Sequence, residues 1–202
     1  MARRKHTEAD TDYKVVGDGL QIRDGWRTPQ PVLACARLLM GGQIKFDFCT
    51  DAENPTRALY FGTPEDPLYP LENADPAPSL WVYDAAWFPR ALFDDVWENP
   101  PFSTRNAWVY WFSTWVKSGV LLVAQETKPA WDLAYQNGWT AIRPRARVAF
   151  DLPPGLDVPN ERRPGGPSIL FAKGYKYDAV CAAFPFEAED GHPGFTVWKA
   201  AA

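Results

Sequence analysis

Histidine and cysteine, which supply most structural and catalytic metal ligands, are scarce in this sequence of 202 residues. The two histidines, His6 and His192, lie near opposite ends of the chain, and the three cysteines are widely spaced with no C-x-x-C pair. Zinc sites need thiolate or imidazole ligands at close spacing, and disulfide frameworks need paired cysteines. We therefore expect no metal centre, no histidine-based catalytic triad, and free cysteines in a reducing compartment.

Long apolar runs are also lacking. No segment approaches the roughly 20 apolar residues of a membrane span, and the basic start at residues 3–5 leads into polar and acidic residues instead of a signal-peptide core. These absences predict a cytoplasmic protein without a membrane partner. The formal net charge is −4, whereas proteins that coat nucleic acid are usually strongly basic, so any contact with DNA requires a local basic surface.

The pattern of apolar residues predicts alternating helices and strands. The first helix is expected to begin at Thr28-Pro29, with the threonine as N-cap and the proline in the first helical position, and to end at Gly41-Gly42. An alternating segment at 44–49 then predicts a strand that has three apolar side chains on one side: Ile44, Phe46 and Phe48.

Further strands are predicted at 80–83, directly before Asn99, and at 120–124, 147–152 and 168–172. A helix that packs Trp108, Trp111 and Trp115 into the core is expected to end at Gly119, and another helix is expected at 129–136. Strands that alternate with helices favour an α/β sheet in one domain. That domain spans 25–202, after a polar arm at 1–24, with a proline-rich acidic insertion near 62–93 and a basic loop near 143–167.

The sequence Asn99-Pro100-Pro101-Phe102, at the end of a predicted strand, is the strongest chemical signal. The amino nitrogen of adenine or cytosine is a poor nucleophile, because its lone pair is delocalised into the ring. An asparagine side-chain oxygen and a proline carbonyl can accept its two hydrogens, and both bonds strengthen as positive charge develops on nitrogen. Proline has no N–H, so the turn presents acceptors, and Phe102 offers a flat face to an extruded base. A plain surface turn, or methylation of RNA or of protein glutamine, fits the same four residues.

Several segments, in this order, resemble the motifs of the phage-type DNA N-6-adenine methyltransferases, the Dam family. The first is Gly25-Trp26-Arg27-Thr28-Pro29, the second runs from Lys45 to Asn54, and the third from Val96 to Ser103. The resemblance continues through Leu121-Leu122-Val123, Arg147-Val148-Ala149-Phe150 and Ser168-Ile169-Leu170-Phe171, so it covers roughly residues 25–172.

The resemblance implies a Rossmann-like methyltransferase fold, with a mainly parallel sheet and one antiparallel strand, and S-adenosylmethionine as cofactor. It implies that Asn99 to Phe102 are catalytic, and that five other residues lie at the cofactor: Trp26, Thr28, Pro29, Asp47 and Asn54. If phage-encoded, such an enzyme acts on DNA in the bacterial host cytoplasm. Glu98 stands where the family usually has an uncharged residue, and its carboxylate either assists the positive sulfonium or points to solvent.

Two groups of polar residues have both a functional and a structural interpretation. Asp47 either accepts hydrogen bonds from hydroxyl or ammonium groups of the cofactor or caps a nearby loop. Five arginines either contact DNA phosphates or only solvate the surface: Arg143, Arg145, Arg147, Arg162 and Arg163.

Together these observations predict a DNA adenine methyltransferase that moves a methyl group from S-adenosylmethionine to the exocyclic amino group of adenine. Methylation of cytosine at N-4 is the alternative, because both amino groups suit the same pair of acceptors. A third possibility is a protein of methyltransferase fold that binds nucleic acid or another partner without turnover.

Overall fold

The computed structural model describes residues 27–50, 53–62, 93–102, 104–151, 167–188 and 194–200. Within these ranges a mixed sheet of seven strands is combined with four helices, an α/β architecture. In chain order the elements are α1 (Gln30–Leu39), β1 (Phe46–Asp47), β2 (Tyr60–Phe61), β3 (Val96–Glu98), α2 (Arg105–Trp115), β4 (Gly119–Ala124), α3 (Lys128–Asn137), β5 (Thr140–Pro144), β6 (Ser168–Lys173), α4 (Tyr177–Ala183) and β7 (Phe195–Lys199). The predicted arm at 1–24, the strand at 80–83 and most of both predicted insertions lie outside the described residues.

The strand order is β2-β1-β3-β4-β6-β5-β7. Strands β2, β1, β3 and β4 pair in parallel, whereas β6 is antiparallel to both β4 and β5, and β7 is antiparallel to β5. Strands β1 to β5 therefore share one direction, and β6 and β7 run the other way. The expectation of a single reversed strand is wrong for the described sheet, because β7, which was not predicted, adds a second one at the edge.

Two helices pack on each face of the sheet. The alternation of β4 illustrates this: Val120 and Leu122 belong to the core that includes α1 and α4 residues, while Leu121 and Val123 belong to the core that includes α2 and α3 residues. All six residues of β4 are buried, which is typical of a central strand covered on both faces. Trp108 and Trp111 are only 3% and 5% exposed, so the prediction that they belong to the core is confirmed.

The start of α1 differs from the prediction by one residue. Pro29, with φ −59° and ψ 142°, is the N-cap, and the helix begins at Gln30 with Pro31 in its first turn. Thr28 therefore precedes the cap, and its hydroxyl makes no capping hydrogen bond. The extended ψ of Pro29 keeps it outside the helix although its φ is compatible with one.

Two predicted strands also need correction. Ile44 does not share a side with Phe46 and Phe48, because it packs in the core beside α1 while the two phenylalanines pack beside α2. The segment 147–152 forms no described strand: only Asp151 pairs, in an isolated antiparallel bridge with Arg27. The strand in this region is β5, which lies earlier in the chain than expected.

The end of α2 also differs from the prediction. This helix ends at Trp115, and Gly119 is instead the first residue of β4. A side chain at position 119 would place its Cβ 2.6 Å from the Val96 carbonyl oxygen, so glycine lets β3 and β4 approach each other closely. The predicted helix at 129–136 and the strands at 120–124 and 168–172 are confirmed as α3, β4 and β6.

Neither a membrane-spanning helix nor a metal site is found in the described parts of the chain. None of the helices there is long and apolar enough to cross a membrane. The same ranges hold no cluster of three or more histidine, cysteine, aspartate or glutamate side chains suited to a metal ion.

Candidate active site

Strands β1 to β5 all end at one edge of the sheet, where β6 and β7 begin; we call this the carboxyl edge. From β1 the chain moves to β2 on one side and later to β3 on the other side, so the strand order reverses at β1. In open α/β sheets, ligands bind outside the carboxyl ends of the strands at such a reversal. The residues that end β1 and β3, Asp47 and Glu98, therefore flank the expected site, and Asn99 follows directly.

A shallow cleft, partly open to solvent, lies at the carboxyl edge, and its cavity volume is about 10 Å³. This volume is far below the ~300–1,000 Å³ of ordinary small-molecule pockets. Asn99, Pro100 and Phe102 line it, so the structure brings together three of the four predicted catalytic residues. Pro101 is not in the lining, and its carbonyl accepts a hydrogen bond from the Thr104 N–H at 3.2 Å, which closes the turn into α2.

Phe102 is a wall of this cleft and not a core residue. Its side chain is half-buried, and it belongs to neither of the hydrophobic cores formed by the described residues. Phe150, by contrast, lines the cleft and is 5% exposed, because its ring also packs in the core beside α1. The cleft thus has one partly solvent-accessible aromatic ring, as a base-stacking role requires, and one fixed aromatic ring.

Glu98 takes part in a buried acid–thiol contact between the ends of β1 and β3. The Cys49 thiol donates to Glu98 Oε1 at 2.8 Å. Glu98 is 0% exposed, and its other oxygen, Oε2, has no hydrogen-bond partner among the described residues. Burial raises the pKa of Glu98 well above its ordinary value against the opposing hydrogen bond from Cys49, and the charge of Asp47 adds to the rise. Of the two alternatives for Glu98, the one in which its carboxylate points to solvent is therefore wrong.

Cys49 is half-buried and hydrogen-bonded, not simply a small apolar residue. Burial raises the pKa of its thiol, and the neighbouring Glu98 raises it further. A thiol held in its neutral form is a weak nucleophile, so Cys49 is a hydrogen-bond partner here and not a reactive centre.

Asp47 and Asn54 build the loop that follows β1. Asp47 accepts hydrogen bonds from the Cys49 backbone N–H at 3.0 Å and from the Thr56 hydroxyl at 2.8 Å. Asn54, at φ 47°, accepts from the Ala58 N–H at 3.0 Å and donates to the Ala58 carbonyl at 2.9 Å. The loop-capping role weighed for Asp47 is therefore present, and this loop places its carboxylate at the carboxyl edge.

Thr28 is brought close to the cleft by the segment that contains Phe150. Two backbone hydrogen bonds, of 3.0 and 2.9 Å, join Arg27 to Asp151, so residues 27–28 run antiparallel beside 150–151. Thr28 is 5% exposed, and its hydroxyl oxygen has no hydrogen-bond partner within the described ranges. Pro29 is half-buried at the start of α1. Trp26 lies outside the described residues.

The three described arginines of the predicted DNA-contact group lie around the carboxyl end of β5. Arg143, Arg145 and Arg147 are all exposed. The guanidinium of Arg145 lies 4.0 Å from the centre of the Phe186 ring and donates to the Phe186 carbonyl at 3.3 Å. These arginines therefore share the carboxyl edge with Asn99, although Arg145 already has an aromatic partner. Arg162 and Arg163 lie outside the described residues.

Six lining residues of the cleft were not among the predicted site residues: Arg105, Leu122, Val123, Ala124, Phe150 and Ser168. Arg105 could have been found, because it begins the helix that follows the Asn99-Pro100-Pro101-Phe102 turn and so must lie near it. Phe150 and Ser168 reach the cleft only through the pairing of β6 with β4 and the bridge at Asp151, which no local pattern reveals.

Comparison of the chain with protein-family models, with curated proteins and with solved structures finds no match.

Proposed function

We propose that this chain is a DNA adenine methyltransferase that uses S-adenosylmethionine, with Asn99 to Phe102 at its active centre. The observation that carries the proposal is the arrival of Asn99 and Pro100 from β3 in a cleft at the carboxyl edge, next to the half-buried ring of Phe102. This position combines two hydrogen-bond acceptors with an aromatic face, which is what transfer to an exocyclic amino group requires.

In this proposal the residues act on the target base. The Asn99 side-chain oxygen and the Pro100 carbonyl accept the two amino hydrogens and so direct the nitrogen lone pair out of the ring. Phe102 stacks on the base, which is worth about 1–3 kcal/mol and offsets the cost of removing it from the duplex. S-adenosylmethionine, which Asp47, Glu98 and Thr28 would hold, would supply an electrophilic methyl group and leave as the neutral thioether, and the proton lost by the amino nitrogen would pass to solvent.

The residues at the carboxyl edge suit a ligand with ammonium and hydroxyl groups such as this cofactor. Glu98 Oε2 and the Thr28 hydroxyl are buried without hydrogen-bond partners among the described residues, and an unsatisfied buried polar atom costs about 1–3 kcal/mol. A ligand whose donors reached these two oxygens would remove that cost. Asp47 would add a negative charge beside the cofactor's positive groups.

The sheet also supports the finer description as a Rossmann-like methyltransferase. Strand β6 is inserted antiparallel between β4 and β5, while β1 to β5 run in one direction. The family resemblance implies one reversed strand, which would be β6, whereas the second reversed strand, β7, departs from that expectation. Strand β7 is then an additional edge strand.

The test compares methyl transfer to DNA by the parent and by two asparagine variants. We expect Asn99→Ala to lose nearly all activity while cofactor binding and thermal stability stay close to the parent's. Losing one transition-state hydrogen bond of this kind costs roughly 2.7–4 kcal/mol, or about 100- to 1,000-fold in kcat. Asn137→Ala is the matched control, because Asn137 ends α3 at the opposite edge of the sheet and its side chain donates within that helix, to the Leu133 carbonyl. Transfer by Asn99→Ala at the parent rate would show that the active centre lies elsewhere.

A further inference from the structure

Arg105 is the one charged side chain that lines the described part of the cleft. The other lining residues are neutral: Asn99, Pro100, Phe102, Leu122, Val123, Ala124, Phe150 and Ser168. The Arg105 side chain is 32% exposed, so it reaches solvent from a cleft whose other walls are largely buried. A cation at the mouth of an otherwise neutral cleft is suited to a ligand that has a flat neutral part and an attached anion.

Among the described residues, the ion-pair partner of Arg105 is a weak one. Its guanidinium lies 4.0 Å from Glu126, whose side chain is 64% exposed, and ion pairs this long and this exposed contribute little to stability. Arg105 is also the first residue of α2, a helix of 11 residues with no acidic side chain in its first turn. The positive end of that helix adds to the attraction for an anion.

We propose that Arg105 binds the backbone phosphate next to the extruded base. A base that enters the cleft remains bonded to its sugar and phosphate, so the phosphate must lie where the cleft opens to solvent. The planar guanidinium binds phosphate through two parallel hydrogen bonds, which fixes the position of the nucleotide as well as its charge. The assignment rests on the proposed function, and it adds a contact that belongs to the target nucleotide and not to the flanking duplex.

The test measures the affinity for a mixed-sequence DNA duplex as a function of salt concentration. The slope of log K against log salt is negative, and each lost phosphate contact reduces its magnitude by about 0.9. We expect this decrease, with several-fold weaker binding at low salt, for Arg105→Gln but not for Arg105→Lys. Lys117→Gln is the matched charge control, because Lys117 precedes β4 at the opposite edge of the sheet and pairs with Asp94 at 3.4 Å.

A second variant separates phosphate binding from a purely structural ion pair. If Arg105 serves only to bind Glu126, Glu126→Gln and Arg105→Gln should have the same effects on stability and on DNA affinity. We expect instead that Glu126→Gln leaves the salt slope unchanged. A parent that binds no DNA would overturn the proposed function and this assignment with it. A parent that binds DNA normally, with an unchanged slope for Arg105→Gln, would overturn the assignment of Arg105 alone.

Discussion

Glu98 is a carboxyl group in an environment that disfavours its charged form. It has 0% exposure, a thiol partner and one oxygen that no described residue satisfies, so it is costly to ionise, and the nearby Asp47 makes ionisation costlier. Structural positions rarely retain such a group, whereas functional sites often do. The pH dependence of stability therefore gives direct access to this site.

The raised pKa of Glu98 predicts how stability varies with pH. Above about pH 4.3 the unfolded chain releases this proton while the folded protein keeps it. The contribution of Glu98 to the free energy of unfolding should therefore fall as the pH rises, until the pH reaches the raised folded pKa. Glu98→Gln mimics the neutral acid, so its stability relative to the parent should rise as the pH increases above about 4.3. Urea unfolding at several pH values measures this, with the exposed Glu126→Gln as control. A pH-independent difference between Glu98→Gln and the parent would contradict the prediction.

Asp47 can be tested by separating its bond to the loop from its charge. Thr56→Val removes the hydroxyl that donates to Asp47 at 2.8 Å but keeps the Asp47 carboxylate. Asp47→Ala removes both this hydrogen bond and the negative charge. We expect both variants to lose stability, by roughly 1–3 kcal/mol for the groups left unpaired. Only Asp47→Ala should also weaken binding of S-adenosylmethionine and raise its KM. An unchanged cofactor dissociation constant for Asp47→Ala by calorimetry would leave Asp47 with a structural role alone.

Phe102 gives a third test at this scale. If its half-buried ring stacks on a base, Phe102→Tyr and Phe102→Trp should retain much of the activity. Phe102→Ala should raise the KM for DNA or lower kcat, because about 1–3 kcal/mol of stacking is lost. A core ring would behave differently, since its replacement by alanine costs about 3–5 kcal/mol of stability. Thermal unfolding without ligands and transfer rates against DNA concentration, measured for each variant, distinguish the two. If activity falls only in the variants whose unfolding temperature also falls, stacking is ruled out.

At the scale of elements, the chain after β5 connects the outer part of the sheet to the cleft. Residues 145–151 leave the carboxyl end of β5 and reach the cleft at Phe150. Val148 and Phe150 are 4% and 5% exposed while Arg145 and Arg147 are exposed, so the segment is fixed by its apolar residues and presents its arginines outward. Under the proposed function, these arginines would border a path for DNA along the carboxyl edge.

That path predicts the behaviour of a triple variant. Replacing Arg143, Arg145 and Arg147 with Gln should weaken DNA binding and reduce its dependence on salt. The slope of log K against log salt is negative. Each phosphate contact that is lost reduces its magnitude by about 0.9, so the loss of three contacts would reduce it by about 2.7. Because Arg145 already contacts the Phe186 ring, we expect the slope to decrease by less than this. Filter-binding titrations at several salt concentrations measure the slope, and a slope equal to the parent's would place the DNA on another surface.

For the molecule as a whole, elements with strong local patterns were predictable. Strand β4 is an unbroken apolar run, and α3 ends at Gly138, whose φ of 64° suits a left-handed helix cap. Strand β1 lies within the predicted strand at 44–49 but is shorter, the two-residue strand β2 has too little sequence to carry a pattern, and α4 and β7 were missed. At 147–150 the alternation correctly indicates that Val148 and Phe150 are buried, but it does not indicate that the backbone there pairs with no strand of the described residues.

The candidate site was predictable from the sequence only where its residues are contiguous in the chain. Asn99 to Phe102 form a contiguous motif, so their chemistry can be recognised without the fold. The contact between Cys49 and Glu98 joins residues that are 49 positions apart, and it depends on the pairing of β1 with β3. Only the tertiary structure brings such residues together.

The most direct test of the central claim identifies the nucleoside that carries the methyl group. Purified protein is incubated with unmethylated DNA and isotopically labelled S-adenosylmethionine, and the DNA is digested and analysed by mass spectrometry. The account predicts labelled N-6-methyldeoxyadenosine with the parent and with Asn137→Ala, and none with Asn99→Ala. Label in N-4-methyldeoxycytidine would keep the active centre but change the target base. The absence of any methylated nucleoside, from a parent shown to be folded and to bind both the cofactor and DNA, would contradict the account.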